Sequence, residues 1–142
     1  MSTASDAIIA RIASEVSPTD VFDLDNYVSM SDLPDVDQCL LIEFAAASDR
    51  ISSIGSQGSM GFEEDGTIVI HWLYQRGFND TYVDGVKTSA ESLRTALRGL
   101  RISDGLWIES VDPFIAARSP IDEHSRWSAF SAFLNYNLNT CG

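Results

Sequence analysis

The sequence has few cationic residues for its content of acidic ones. It holds nine Lys and Arg residues against 21 Asp and Glu residues, which gives a formal net charge of −12 at pH 7. Affinity for duplex DNA and for anionic membranes depends on cations that neutralise phosphates, so this balance argues against a general nucleic-acid-binding protein and against docking on such membranes. The acidity is compatible with avoidance of DNA, with mimicry of DNA or with solubility alone.

Cysteine and histidine are scarce as well. The two cysteines, Cys39 and Cys141, lie far apart, and His71 and His124 stand alone. Because a structural zinc site needs closely spaced thiolates or imidazoles, we predict no metal site of this kind. The N-terminus lacks the basic start and apolar run of a secretory signal, which indicates a reducing cytoplasmic setting. No apolar run approaches the roughly 20 residues of a membrane-spanning helix.

Motifs for catalysis and for cofactor binding are also lacking. Gly55, Gly58 and Gly61 recur every three residues, a spacing that matches neither the dinucleotide-binding fingerprint nor the phosphate-binding loop. The chain has no serine nucleophile elbow. We therefore expect that the protein is not an enzyme and binds no cofactor. We interpret these glycines as residues that let a strand bend or a loop move.

Two pairs of aspartates have the carboxylate oxygens that divalent cations bind. Asp23 with Asp25, and Asp35 with Asp37, could each place two oxygens on one face of an extended chain and hold Mg²⁺ or Ca²⁺ at a subunit contact. Such pairs are common in acidic loops, and neither belongs to a calcium-binding loop with its glycine and closing glutamate. We predict no metal ligand among them.

The chain has enough length and apolar content to form one domain. It has 142 residues, of which 44% are hydrophobic, so a sizeable core is expected without a disulfide or a metal. Its acidic residues are concentrated in the N-terminal half. Residues 1–65 hold 13 acids and two bases, a net charge of −11, whereas residues 66–142 hold eight acids and seven bases, a net charge of −1. The acidic excess is therefore a property of one half.

Apolar spacing and turn residues predict the elements of the N-terminal half. Apolar residues every three or four positions after Ser5 predict an amphipathic helix that ends before Pro18. The next segment, Thr19–Pro34, is predicted to be irregular, with a short strand near Asn26–Val28, and a central strand is predicted over Cys39–Ala45. A mobile or twisted hairpin region is predicted over Ile51–Phe62, and a turn at Asp65-Gly66 precedes the predicted strand Thr67–Tyr74.

The C-terminal half contains a second helical pattern. An apolar stripe from Tyr82 to Leu100 predicts a helix over Thr81–Gly99, although Gly85 weakens its first turns and Thr88 with Glu91 offers a later start. The segments after it are predicted as a strand over Leu106–Val111 ended by Asp112-Pro113, a loop over Ala116–Glu123, and a long terminal strand with Phe130, Ala132, Leu134, Tyr136 and Leu138 on one face and Ala129, Ser131, Phe133 and Asn135 on the other.

The order of these elements predicts the fold class. Helix, strands, helix and strands follow one another without a regular βαβ alternation and without an internal repeat. We predict a single α+β domain over residues 1–142, in which an antiparallel or mixed β-sheet packs two α-helices on one face.

The second predicted helix has a basic face. Lys87, Glu91, Arg94, Arg98 and Arg101 are spaced by four, three, four and three residues, so they share one side of that helix, opposite its apolar stripe. One interpretation is a solvated outer face. The other is a head-to-tail contact with the aspartate segment Asp20 to Asp37 of a neighbouring copy, which would close into a ring.

Four parts of the sequence carry a family resemblance. They are Leu33-Pro34-Asp35-Val36 leading into Cys39–Ala45, the strand Thr67–Leu73, the helix Ser92–Leu100, and Asp122 followed by Arg126-Trp127-Ser128-Ala129 and Phe133-Leu134-Asn135-Tyr136. These segments resemble the tail-terminator family, the tail-completion or minor tail proteins of long-tailed bacteriophages and gene-transfer particles. The resemblance covers nearly the whole chain.

This resemblance implies a function in virion assembly. Members of the family form a hexameric ring at the head-proximal end of the tail tube, which stops tube growth and joins the filled head while DNA passes through the lumen. The implied partners are further copies of the chain, the tail tube protein and the head-tail connector or stopper protein. The family has no active site, so no functional residue is transferred, and the expected location is the virion tail, after assembly in the host cytoplasm.

Surface candidates follow from the charges and loops. An acidic lumen would repel DNA, so we expect some acidic residues at the channel or between subunits: Asp20, Asp23, Asp25, Asp35, Asp37, Glu63, Glu64 and Asp65, the last three at a loop tip. The basic counterparts are Lys87, Arg94, Arg98 and Arg101. Loop candidates for contacts with the tube or the connector are Gly55, Gly58, Gly61, Arg76, Gly77 and Phe78.

Three other functions fit parts of the sequence. Another phage neck or connector subunit would share most of these features. An acidic DNA-mimic inhibitor would use the aspartates to bind a basic nuclease or repressor and would stay a monomer or dimer. A small hydrolase or metal-dependent enzyme has the least support, because the histidines are sparse and the motifs are absent.

Overall fold

The described part of the chain contains two helices and seven strands. In chain order they are α1 (Thr3–Val16), β1 (Asp20–Asp23), β2 (Gln38–Ile54), β3 (Met60–Gln75), α2 (Asp80–Leu97), β4 (Arg101–Ser103), β5 (Leu106–Val111), β6 (Ile115–Arg118) and β7 (Trp127–Cys141). The structure, a computed structural model, describes residues 3–17, 19–23, 37–54, 60–75, 77, 79–118 and 127–141.

All seven strands belong to one mixed sheet. Its order is β1-β2-β3-β7-β5-β4. β6 pairs with the first half of β7, along the same edge that β5 occupies further on. The β1–β2 pair is parallel, and every other pair is antiparallel. Together with the two helices, this sheet confirms the predicted α+β fold with a mixed sheet.

Both helices pack on one face of this sheet, as predicted. Every second residue of β7 points towards them, because successive side chains of a strand alternate between its two faces. The shared core contains Ile8 and Ile12 of α1, Ala90 and Leu97 of α2, and the β7 side chains Phe130, Ala132, Leu134 and Tyr136. The predicted apolar faces of α1, α2 and the terminal strand are therefore confirmed.

Helix α2 begins and ends close to its predicted bounds. The side chain of Asn79 accepts a hydrogen bond from the backbone N–H of Tyr82 at 2.9 Å, which caps the first turn. The helix ends at Leu97, and Gly99 then takes a φ of +75°, a conformation that favours glycine. The alternative start at Thr88 is wrong, because the Thr88 hydroxyl donates to the Asp84 carbonyl within the helix.

The predicted turn at Asp65-Gly66 is wrong. Both residues lie inside β3, where Asp65 pairs with Ser48 and Asn137, and Gly66 pairs with Ala47 and Tyr136. The glycine has another purpose there, because a Cβ on Gly66 would overlap the ring of Tyr136. Gly66 is thus needed because the Tyr136 ring packs closely against its backbone, and not because the chain turns there.

Other strand bounds differ from the predictions. β2 continues past the predicted end at Ala45, β7 extends the terminal strand at both ends, and β6 occupies the beginning of the predicted loop Ala116–Glu123. β1 forms within the segment predicted to be irregular, and β4 was not predicted at all. The predicted strand near Asn26–Val28 lies outside the described residues, as do residues 119–123 of the predicted loop Ala116–Glu123.

Candidate functional site

The face of the sheet that points away from both helices is called the open face here. On β7 it carries Ser131, Phe133, Asn135 and Asn137, which alternate with the core residues. Directly paired residues of neighbouring strands share a face, so the pairing of Ile115 with Ser131 and of Trp107 with Asn137 adds both side chains to it.

Large apolar side chains are exposed on the open face. Among the described residues, the exposed fractions are 66% for Ile115, 51% for Phe133 and 38% for Trp107. They come from β6, β7 and β5, and both β6 and β5 pair with β7. Ile115 lies opposite Ser131, two residues from Phe133, whereas Trp107 lies opposite Asn137, four residues from Phe133. Ile115 and Phe133 therefore form a small exposed apolar pair, from which Asn135 and Ser110 separate Trp107.

One end of the open face is buried. Cys39, Leu41, Leu73, Trp127 and Ala129 form a second, smaller apolar cluster there, against which Phe22 of β1 packs. Burial, with a contribution from the nearby Asp20 carboxylate, raises the pKa of the Cys39 thiol to about 12. The thiol therefore stays protonated at neutral pH, and we assign Cys39 to packing and not to chemistry.

Three polar side chains meet across strands next to this cluster. The Oγ of Ser131 lies 2.7 Å from Nδ1 of His71, and Oε1 of Glu43 lies 2.9 Å from Nε2 of the same ring. The three residues come from β7, β3 and β2. The imidazole has a partner at each nitrogen, which explains how a histidine exposed by only 8% is accommodated on the sheet.

This combination of serine, histidine and carboxylate has the composition of a hydrolase triad. A nucleophilic serine also needs donors aimed at the developing oxyanion. Ser131 lies in the middle of β7 and pairs with His71 on one side and Ile115 on the other, so strand pairing occupies the backbone around it. We interpret the three residues as a cross-strand hydrogen-bonded group.

A second polar group follows along the same face. The hydroxyl of Thr67 donates to Oδ1 of Asn135 at 2.8 Å, and Nδ2 of Asn135 donates to the hydroxyl of Ser110 at 3.0 Å. Nδ2 of Asn137 donates to Oδ1 of Asp65 at 2.8 Å. These bonds hold the side chains in place, so this part of the open face is a fixed polar surface beside the apolar one.

Acidic side chains dominate the charge of the open face. Asp65 and Glu109 line a cleft of about 330 Å³ together with Asn135, and Glu43 lies beyond it on β2. Arg101 pairs with Trp107 at the β4 edge, and its guanidinium contacts Asp104 at 3.1 Å. The open face therefore presents acids in its middle and a basic residue at its edge.

The predicted basic face of α2 is divided by the structure. Arg101 lies in β4 and not in the helix. Nε of Arg94 donates to the Val111 carbonyl at 2.8 Å, and Oε1 of Glu91 accepts from the backbone N–H of Phe114 at 3.2 Å, so these two side chains attach α2 to its own sheet. Lys87 and Arg98 are exposed and remain available for a partner.

One flank of α2, on the side of the C-terminal end of α1, carries small residues. Gly85, Ser89, Ser92 and Ala96 are spaced by four, three and four residues, and all four are exposed. A cleft of about 450 Å³ lies beside them and is bounded by Trp72 of β3 and by the end of α1. Sequence analysis missed this surface, although its helical spacing was readable.

The predicted acidic candidates lie in different parts of the fold. Asp20 and Asp23 are in β1, and Asp37 directly precedes β2. Glu63, Glu64 and Asp65 are inside β3, so their predicted place at a loop tip is wrong. Oε2 of Glu64 accepts from the Tyr136 hydroxyl at 2.7 Å on the helix-covered side. Asp25 and Asp35 lie outside the described residues.

Four of the loop candidates, Gly55, Gly58, Arg76 and Phe78, lie outside the described residues. The backbone of Gly61 belongs to β3, where it pairs with Ser53 and Cys141, so its predicted place in a loop is wrong. Both ends of the predicted irregular region Ile51–Phe62 are likewise regular strand, because long-range pairing extends β2 to Ile54 and starts β3 at Met60. Gly77 is exposed between β3 and α2 and has a φ of +100°.

Within the described residues, no helix is both long enough and apolar enough to cross a membrane. Within the same residues, no group of three or more His, Cys, Asp or Glu side chains is arranged to hold a metal ion.

Comparison with solved structures finds a likeness over the whole chain. The chain is similar to a chain in the virion of a native gene transfer agent particle, with a TM-score of 0.51 and 16% sequence identity, over 99% of this chain and 100% of that one. No model of a protein family and no curated protein matches the sequence. At this identity, the likeness shows that the two chains share a fold.

Proposed function

We propose that this protein is a structural, non-enzymatic virion protein that forms a ring on the head-proximal end of a phage-type tail tube. In this proposal the ring is a hexamer that stops tube polymerisation, presents the surface for head joining and lets DNA through its lumen. The observation that carries the proposal is the likeness to a gene transfer agent virion chain over 99% and 100% of the two chains. A likeness from end to end supports the same type of building block.

An acidic lumen suits the passage of DNA. Asp20, Asp37 and Asp80 are exposed at one end of the sheet, where β1, β2 and α2 begin; we call this the acidic end. Exposed carboxylates repel phosphates within a Debye length of about 8 Å at physiological salt, so DNA would pass without being held. We place the acidic end at the lumen.

Connections at both ends of the sheet are proposed to reach other virion proteins. The connection with Arg76, Gly77 and Phe78 leaves the acidic end, and the segment with Gly55 and Gly58 joins β2 to β3, which begins with Met60 and Gly61, at the other end. Connections at opposite ends of a subunit suit contacts with a tube on one side and a head-tail connector on the other.

Tube assembly tests the proposed function. Tail-tube subunits of the same particle are polymerised with and without this chain, and tube lengths are measured by negative-stain microscopy. We expect shorter tubes with a ring at one end, because a cap removes the growing surface. Unchanged tube lengths, with no ring at any tube end, would contradict the proposal.

A charge-reversal variant tests the acidic end. In the triple variant Asp20→Lys, Asp37→Lys and Asp80→Lys, we expect assembled particles to release DNA more slowly, and the delay to shrink at high salt. The control reverses three other exposed acids, Asp6→Lys, Asp104→Lys and Asp112→Lys, with the same change in net charge. Equal release by both variants would remove this end from the lumen.

The same measurements separate the alternative functions. Another neck subunit would bind a connector protein without shortening tubes. A DNA-mimic inhibitor would remain a monomer or dimer and would bind a basic nuclease tightly, since its carboxylates replace phosphates.

A further inference from the structure

We propose that Asp104-Gly105 is a site of spontaneous isoaspartate formation, and that the fold protects the two other Asp-Gly sequences of the chain. Those two are Asp65-Gly66 and Asp84-Gly85. The three sequences lie in the connection between two strands, in a strand and in a helix, in that order. Because the same dipeptide occurs in three backbone conformations, the chain contains its own controls. The inference is independent of the proposed function.

The reaction needs only the aspartate, the glycine after it and water. The backbone nitrogen of the glycine attacks Cγ of the aspartate, the N–H proton and the carboxyl OH leave as water, and a five-membered succinimide ring forms. Water then opens one of the two bonds that the nitrogen makes in the ring. Opening of the bond to Cγ restores aspartate, whereas opening of the bond to the backbone carbonyl carbon gives isoaspartate. One water leaves and one returns, so nothing is oxidised or reduced.

The backbone decides whether this reaction can occur. The glycine nitrogen has to approach Cγ, which requires rotation about the backbone bonds of the aspartate, and its N–H has to be free of an acceptor. A glycine also leaves this approach open, because it has no side chain. A nitrogen fixed in a strand or helix ladder meets neither requirement until that segment opens.

The sheet protects Asp65-Gly66, the sequence that was predicted to be a turn. Both residues lie in β3, which pairs with β2 on one side and with β7 on the other at these positions. A strand between two neighbours has its backbone groups fixed in ladders. Oδ1 of Asp65 also accepts from Nδ2 of Asn137 at 2.8 Å, which holds the carboxylate towards β7.

The helix protects Asp84-Gly85, although its aspartate is as accessible to water as that of the reactive site. Asp84 and Asp104 are both exposed, so exposure does not distinguish them. Asp84-Gly85 lies inside α2, where the N–H of Gly85 belongs to the helical ladder. The Asp84 carbonyl accepts in addition from the Thr88 hydroxyl at 2.9 Å. These bonds fix the backbone on both sides of the aspartate side chain.

The connection between β4 and β5 leaves Asp104-Gly105 free to react. Gly105 has a φ of +80°, and its N–H donates to no acceptor within the part of the chain that the structure describes. The Asp104 side chain is fully exposed. The guanidinium of Arg101 lies 3.1 Å from it but is itself largely exposed, so this contact holds the carboxylate only weakly.

Isoaspartate at this position should disturb the edge of the sheet. The new linkage runs through Cγ and adds one carbon atom to the main chain. The Gly105 carbonyl accepts from the Asn139 N–H at 2.7 Å, and a Cβ on Gly105 would overlap the Asn139 carbonyl oxygen. Because so close an approach leaves no room for a longer main chain, the modification should weaken the attachment of this turn to β7.

Ageing the folded and the unfolded chain side by side tests the inference. Both samples are kept at one pH and temperature, the second in enough guanidinium chloride to unfold it, until the unfolded chain shows isoaspartate at all three sites. Trypsin places the sites on separate peptides, residues 51–76, 77–87 and 102–118, and fragment-ion mass spectrometry locates the isoaspartyl linkage. In the folded chain we expect Asp104 to react about as fast as in the unfolded chain. Asp65 and Asp84 should react at least about tenfold more slowly, since a local opening that costs about 1.4 kcal/mol already gives that factor.

A conservative variant verifies the site. Asp104→Glu keeps the charge beside Arg101, but its extra methylene group prevents the five-membered ring, so the signal at position 104 should disappear. Asp84→Glu, at the other exposed site, is the matched control and should leave that signal unchanged. The inference is overturned if Asp65 or Asp84 reacts as fast as Asp104 in the folded chain, if Asp104 is as strongly protected as those two, or if the signal at position 104 persists in Asp104→Glu.

Discussion

Phe133 and Leu134 are neighbours in β7, yet they belong to two different surfaces. Leu134 is completely buried beneath the helices, whereas 51% of Phe133 is exposed on the open face. Alternation of this kind is typical of a sheet covered on one side. The helix-covered face therefore holds the hydrophobic core of the subunit, whereas the open face leaves apolar side chains exposed.

The largest expected effect comes from the helix-covered face. Leu134→Ala should lower the free energy of unfolding by about 2–5 kcal/mol, because it removes buried methyl groups and leaves a cavity between the sheet and the helices. Urea unfolding followed by circular dichroism measures this change. A loss below 1 kcal/mol, which about matches an Ile→Val change in a core, would contradict the assigned role of this face.

The helix-covered face was also the part of the molecule that the sequence predicted best. The apolar residues of α1, α2 and β7 recur at helical or alternating spacing, and such spacing depends only on the local geometry of each element. Leu106–Val111 was predicted with its observed bounds for the same reason. Local periodicity thus sufficed for the fold class and for the core.

Contacts between distant strands could not be predicted in this way. Asp65-Gly66 has the composition of a turn, but long-range pairing with Tyr136 and Ala47 places both residues inside β3. β1 and β4 are short strands that depend on pairing with β2 and β5 for their conformation. Propensity is a weak guide where pairing decides the structure.

The candidate surfaces depended even more on the fold. The sequence predicted that Phe133 faces away from Leu134, but the exposure of that other face follows from the position of both helices. Arg94 was predicted on a basic face, and its bond to the Val111 carbonyl became visible only once β5 was placed beside α2. Helical spacing indicates which residues share a side, but not what that side contacts.

Two glycines test the packing of the helix-covered face next, because Gly66 lies against a buried ring and Gly85 lies on an exposed side of α2. Gly66→Ala should lower the free energy of unfolding by about 1–3 kcal/mol, since the added methyl group overlaps the buried ring of Tyr136. Thermal or urea unfolding measures the change.

The matched control is Gly85→Ala, at an exposed position of α2. No atom lies within 4 Å of its added methyl group, so the substitution should stabilise the protein by about 0.5–1 kcal/mol through helix propensity. A Gly66→Ala variant that is as stable as the wild type, or more stable, would show that the approach of Tyr136 does not require the glycine.

A smaller effect is expected where the open face is polar. Ser131→Ala removes the hydroxyl that lies 2.7 Å from Nδ1 of His71 and should lower the free energy of unfolding by about 1 kcal/mol. Ser103→Ala, at an exposed position of β4, is the control and should change it far less. Identical unfolding curves for both variants would mean that water replaces the lost hydroxyl.

The smallest effect on the isolated subunit is expected at Phe133 itself. Because half of this side chain is already in water, Phe133→Ala should change the free energy of unfolding of the monomer by no more than about 1 kcal/mol, well below the loss at the neighbouring Leu134. Urea unfolding at a concentration where the wild type is monomeric gives this value. A loss as large as that of Leu134→Ala would contradict the exposure of Phe133 and with it the difference between the two faces of β7.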